Sequence, residues 1–149
     1  MIMTLFELAQ RLVGEIQERP GSADHPFIVW CHESTTMGAA ADEVPWCSSF
    51  VNRLAWLLRL PRSKSAAARS WLTVGTPVID LHDARAAYDI VVLQRGTSET
   101  QGHVGVFMGI MPMASSVPLI QVIGGNQSNG VTVEHYPVTR LLGIRRLRD

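Results

Sequence analysis

The chain has 149 residues, 46% of them hydrophobic, and its 13 basic and 13 acidic residues give a formal net charge of +0. That length suits one domain with a single core, so residues 1–149 read as one unit. Zero net charge argues against a nucleic-acid binder, which needs a basic face, and no apolar run approaches membrane-spanning length. The start, Met1-Ile2-Met3-Thr4-Leu5, lacks the basic segment and long apolar stretch of a secretory signal, which predicts a protein made in the cytoplasm. Cys31 and Cys47 are then expected as free thiols. The Cys and His residues show no zinc spacing, so no metal and no cofactor is implied.

Thr4-Leu5-Phe6-Glu7 is a capping box, and Leu5, Leu8, Leu12 and Ile16 recur at helical spacing until Pro20-Gly21. Pro26 fits the first turn of a second helix carrying Phe27, Ile28, Trp30 and Cys31. A flexible-looking stretch from Ser34 to Asp42 leads to Pro45. A third helix is predicted from Trp46 to Leu60, stopped by Pro61. Cys47, Phe50, Val51, Leu54, Leu57 and Leu58 form its buried stripe. A short helix around Ala66–Leu72 follows, and Gly75 and Pro77 open a loop.

From Asp89 the period becomes that of strands. Ile90–Leu93 reads as a buried strand. In His103–Ile110, Val104, Val106, Met108 and Ile110 alternate against His103, Gly105, Phe107 and Gly109. Pro118–Gly124 and Val131–Tyr136 are two more strands, joined by a turn containing Asn129-Gly130, and Leu142–Leu147 adds a last one. Helices first and a mostly antiparallel sheet second make the class α+β.

Chemistry concentrates on three segments. Cys47 heads a helix, where unpaired N–H groups favour the thiolate that attacks amides. His103 opens a strand whose own face carries glycines, leaving room for a substrate backbone. A working imidazole needs a partner that fixes its tautomer, and Asn126 can supply an amide oxygen. Strand alternation points Val122, Gly124 and Asn126 the same way, with Gly124 clearing space beside the histidine. The backbone N–H of Cys47 is a first oxyanion donor. Cys31, mid-helix, reads as an inert core thiol.

These segments resemble those of CHAP-like, NlpC-related cysteine hydrolases of bacteria and phages, and more narrowly a small single-domain subfamily among phage endolysins and prophage proteins. The resemblance rests on Asp42–Asn52, Ala68–Leu72, Asp89–Leu93, Gln101–Gly105 and Gly124–Asn129, with Tyr136-Pro137-Val138 and Leu142-Gly143 at the close. It implies a papain-like fold, with Cys47 as nucleophile and His103 as base. It implies bacterial peptidoglycan as substrate, cut at a stem-peptide amide or at the sugar–peptide amide, and a protein acting on the wall after release or export.

Many CHAP domains carry a glutamate where this chain has Gly124, so the third role falls on Asn126, with Gln127 second. Trp46 stands where many relatives have an oxyanion-hole glutamine. Trp46, Trp71 and Gln127 are the candidate substrate-binding residues; Trp71 reads as a cleft wall or as a core aromatic. Asp42 and Glu43 lie near enough in sequence to line the cleft. Rival readings are an exported antibacterial toxin paired with an immunity protein, and a cell-wall binding module without catalysis. A monomer is expected, with no membrane insertion.

Overall fold

Thr4 caps the first helix as its sequence dictates: its side chain accepts the Glu7 N–H and the Glu7 carboxylate accepts the Thr4 N–H. In the computed structural model, which describes residues 2–21, 23–41 and 44–149, α1 spans Leu5–Leu12, α2 Pro26–His32 and α3 Cys47–Leu57. The short helix expected around Ala66–Leu72 is a 3₁₀ helix at Ala68–Thr73. The strands are β1 Thr76–Pro77, β2 Asp89–Gln94, β3 Gly102–Met111, β4 Leu119–Gln127, β5 Gly130–Pro137 and β6 Leu141–Arg146. They form one antiparallel sheet in the order β1-β6-β2-β3-β4-β5. The class is α+β, and among the described residues no helix is long and apolar enough to cross a membrane.

Three elements differ from the sequence reading. The first helix ends at Leu12, four residues short of Ile16, because Gly14 takes a left-handed conformation (φ +79°) and turns the chain away. The third ends at Leu57, with Arg59 at φ 57° before Pro61. Thr76–Pro77, read as loop, pairs with Arg146 and Arg145 at the sheet edge, a position that tolerates proline.

The freed segment after α1 becomes a strap across the β4–β5 hairpin. Gly14 N–H donates to Val131 O, Val131 N–H to Ile16 O, and Glu18 N–H to Asn129 O. Gln17 Nε2 donates to Ser128 O at 3.3 Å. Gly130 allows this approach: a Cβ there would lie 2.7 Å from Ile16 O.

The larger core lies between the helices and one sheet face, joining Leu5, Ile28, Trp46, Phe50, Leu54 and Trp71 to Ile90, Val92, Val104, Val106 and Ile123. A smaller core on the opposite face gathers Val91, Leu93, Phe107, Ile120, Val122 and Ile144. Ile110 joins this second core, not the first as alternation predicted, because a bulge between Phe107 and Gly109 resets the phase of β3. At the start of β2, Asp89 is buried and grips Arg146 of β6 through two 2.8 Å bonds, fixing the register Asp89↔Arg146.

Candidate active site

Cys47 is the first residue of α3, where the opening turn of N–H groups has no intrahelical acceptor. Trp46 occupies the N-cap and provides no side-chain cap, and among the described residues no side chain accepts these N–H groups. α3 packs on β3 and β4, which brings its N-terminus against the start of β3. There His103, only 3% exposed, stands near enough to the Cys47 thiol to act on its ionisation. Burial alone would raise the thiol pKa. The polar and positive influence of His103, the Val104 backbone and the Arg95 charge outweigh it, and the pKa lies below that of an ordinary cysteine.

The far nitrogen of the same ring, Nε2, lies 2.8 Å from Gln127 Oε1. The orientation of that amide is set by its surroundings. Gln127 Nε2 donates to Thr132 O at 2.8 Å and to Val122 O at 3.3 Å, and two carbonyls admit only the NH₂ end. The oxygen therefore faces His103 as an acceptor, where it also receives the Tyr136 hydroxyl at 3.1 Å. His103 must donate from Nε2, which leaves the Nδ1 lone pair for the thiol proton. Tyr136 stacks obliquely on the imidazole at 5.5 Å between centroids. Its own hydroxyl pKa is pushed up to about 12, first by burial and then by the charge of Glu134, so it remains a donor.

Asn126 does not take the third position, and the correction has a backbone cause. β4 pairs Gly124 with Thr132 and then Gln127 with Gly130, so Gly125 and Asn126 together oppose one residue. Asn126 carries the left-handed conformation of this bulge (φ 60°). The extra residue shifts the alternation, and Gln127 instead of Asn126 shares the face of Gly124. Gly124 does clear the site: a Cβ there would lie 2.7 Å from Gln127 Oε1 and 3.2 Å from His103 Nε2. The next two residues, Ser128 (φ 49°) and Asn129 (φ 61°), are the two central residues of a hairpin turn with positive φ at both positions.

The two tryptophans offered as substrate contacts are fully buried. Trp46 donates from Nε1 to Glu18 Oε2 at 3.0 Å and packs edge-on against Phe50. It also presses on Gly125, where a Cβ would lie 2.5 Å from its ring. Trp71 donates from Nε1 to Ser48 Oγ at 2.9 Å, and is the core aromatic of its two readings. Ser48 in turn donates to Ser65 O, while Asn52 donates to Ser65 O and accepts the Lys64 N–H at 2.8 Å. This network, unforeseen from the sequence, pins the segment before Ala68 to the buried face of α3.

A cleft of about 210 Å³ opens beside the thiol, lined by Pro45, Cys47, Ala66–Ala68, Arg95, Thr100, Gln101 and Gly102. Asp42 and Glu43 lie outside the described residues. Cys31 is a free, buried thiol whose pKa burial drives far up, against a smaller opposing effect of Arg53; it has no nucleophilic character. Among the described residues no group of three or more His, Cys, Asp or Glu side chains is arranged to hold a metal ion. Tyr136 was missed as a site residue although a period of two along β5 aligns it with Thr132, which also touches Gln127. Comparison with family models, with curated proteins and with solved structures finds no match.

Proposed function

We propose that the protein is a cysteine amidohydrolase of papain-like arrangement that cleaves an amide of the bacterial cell-wall stem peptide, as a phage or prophage endolysin does. The observation that carries the chemistry is His103 set between the Cys47 thiol, whose pKa it lowers, and the Gln127 amide oxygen 2.8 Å from its Nε2, with the thiol at an uncapped helix start. The substrate class rests on the resemblance of the Pro-Trp-Cys and Gly-Gly-Asn-Gln segments to peptidoglycan hydrolases.

In this reading His103 Nδ1 takes the Cys47 proton, and the thiolate attacks the scissile carbonyl. The carbonyl oxygen gains the negative charge and is met by first-turn N–H groups of α3, including that of Cys47. The imidazolium gives its proton to the leaving nitrogen as the C–N bond breaks, and a thioester remains on Cys47. Water, deprotonated by the now neutral His103, attacks the thioester; the acid departs and the proton returns to the thiol. Gln127 holds the ring in the productive tautomer throughout, with Tyr136 holding the amide oxygen in turn.

The test is digestion of purified murein, with soluble fragments identified by mass spectrometry. Wild-type protein is expected to release peptides with new amino termini, and Cys47→Ala to release none. New termini within the stem identify an endopeptidase, and intact stems freed from muramic acid an amidase. Undiminished release by Cys47→Ala would overturn the proposal, as would murein that is bound by the wild type but never cut.

A further inference from the structure

The cleft beside Cys47 has one cationic wall. Arg95 follows directly on β2, and its loop is firmly held: Ser98 N–H donates to Arg95 O, and Ser98 Oγ accepts the Thr100 and Gln101 N–H groups at 3.2 and 2.9 Å. Arg69 fastens the same loop from below by donating to Gln101 O and Ser98 O. The other arginines near the site are committed. Arg69 holds the loop, and Arg140 donates to Gln94 O while lying 5.2 Å over the Tyr136 ring. Among the described residues, the Arg95 guanidinium has neither a hydrogen bond nor an ion pair. It stands exposed on an anchored loop and lines the cavity that holds the nucleophile.

The rest of the lining is short. Pro45 and the three alanines 66–68 present methyl and methylene groups, and Thr100, Gln101 and Gly102 present small or neutral polar ones. A volume of about 210 Å³ is below the usual range for drug-sized ligands. It fits one short side chain with a planar anion at its end. A guanidinium is the side chain best matched to a carboxylate, through two parallel N–H donors.

We infer that Arg95 is a specificity-determining residue that binds a free carboxylate on the substrate, next to the scissile amide. The preferred substrate is thus a peptide with a short side chain and an unamidated carboxyl group within about one residue of the cut. This deepens the amidohydrolase reading and rests on it for the identity of the bond broken; the anion site itself does not.

The experiment separates the two. Cys47 is alkylated with iodoacetate, which carries a carboxylate, and with neutral iodoacetamide. In both reactions the S–C bond forms as iodide leaves. The ratio of the two rate constants cancels any change in thiolate fraction, since the same thiol reacts, and attraction by His103 is common to all variants. Arg95→Ala is expected to lower the iodoacetate-to-iodoacetamide ratio about fivefold, the upper range for an exposed ion pair, and Arg95→Lys to restore part of it.

In parallel, kcat/KM is measured on peptide pairs that differ only in a free or amidated carboxyl beside the cut. Wild type is expected to prefer the free acid and Arg95→Ala to lose that preference. An unchanged alkylation ratio overturns the inference, as does an equal loss on both peptides. A ratio that collapses in a protein cutting neither peptide nor murein supports the anion site and overturns the amidohydrolase reading instead.

Discussion

The Cys47–His103–Gln127 chain makes sharply different demands on its members. Cys47 needs its thiolate stabilised, and His103 is the leading stabilising influence against burial. Alkylation by iodoacetamide should therefore rise with pH through a midpoint below that of a free thiol. His103→Ala should move that midpoint upward, since burial is then opposed by less positive charge. A midpoint that stays put would show that the helix start and Arg95 suffice.

In the proposed reaction Gln127 touches no reacting atom and acts as a positioning residue. Gln127→Ala should lower kcat by about a hundredfold with a smaller effect on KM, the scale expected when a catalytic group loses its alignment. It should also leave the Tyr136 hydroxyl without its acceptor. A structural role alone would lower the melting temperature without moving the pH profile of kcat, so the profile is the deciding measurement.

At the scale of elements, the Gly124-Gly125 pair divides two duties between adjacent residues. Gly124 opens space for the amide and imidazole, whereas Gly125 admits the ring of Trp46. Gly125→Ala would push a methyl into Trp46 and Phe50 and should cost about 2 kcal/mol by denaturant unfolding. Because Trp46 is the N-cap of α3, activity should fall with stability.

Much of this arrangement was legible in the sequence. The capping box, the phase of α3 as far as Leu54 and the placement of His103 at a strand start follow from local chemistry and periodicity, whereas Leu57, expected in the buried stripe, is exposed at the helix end. The third residue did not, because strand alternation assumes one residue per pleat and nothing in Gly-Gly-Asn-Gln announces that two will share one. The buried state of Trp46 was equally hidden, while for Trp71 the core reading already stood beside that of a cleft wall. An aromatic beside a nucleophile reads the same whether it faces solvent or Glu18.

The whole molecule carries a second histidine of consequence. His32 is fully buried on α2, with Nδ1 2.9 Å from Ser49 Oγ of α3. Burial lowers its pKa from 6.5, partly offset by the backbone of Ala41 and Val44. Its folded pKa thus lies below its unfolded one, so the unfolded chain takes up the proton first as pH falls. Stability is complete above 6.5 and declines as pH drops from there toward the folded value. Melting temperature should fall between neutral and mildly acidic pH, and His32→Gln should flatten that slope; an unaltered slope would assign acid sensitivity to other groups.

The strap formed by residues 14–18 reaches further than its few hydrogen bonds imply. It ties to a hairpin 111 positions later through Gln17 and Ser128, and through Glu18 it also steadies Trp46 beside Cys47. A contact of that span closes late, because loop entropy must be overcome before it is rewarded. Within the domain the strap precedes nearly every element it docks on, and it waits until the β4–β5 hairpin has been made. The thiol is consequently synthesised long before its imidazole, amide and strap can gather around it. Until they do, Cys47 is an ordinary thiol, and its lowered pKa belongs to the assembled fold alone.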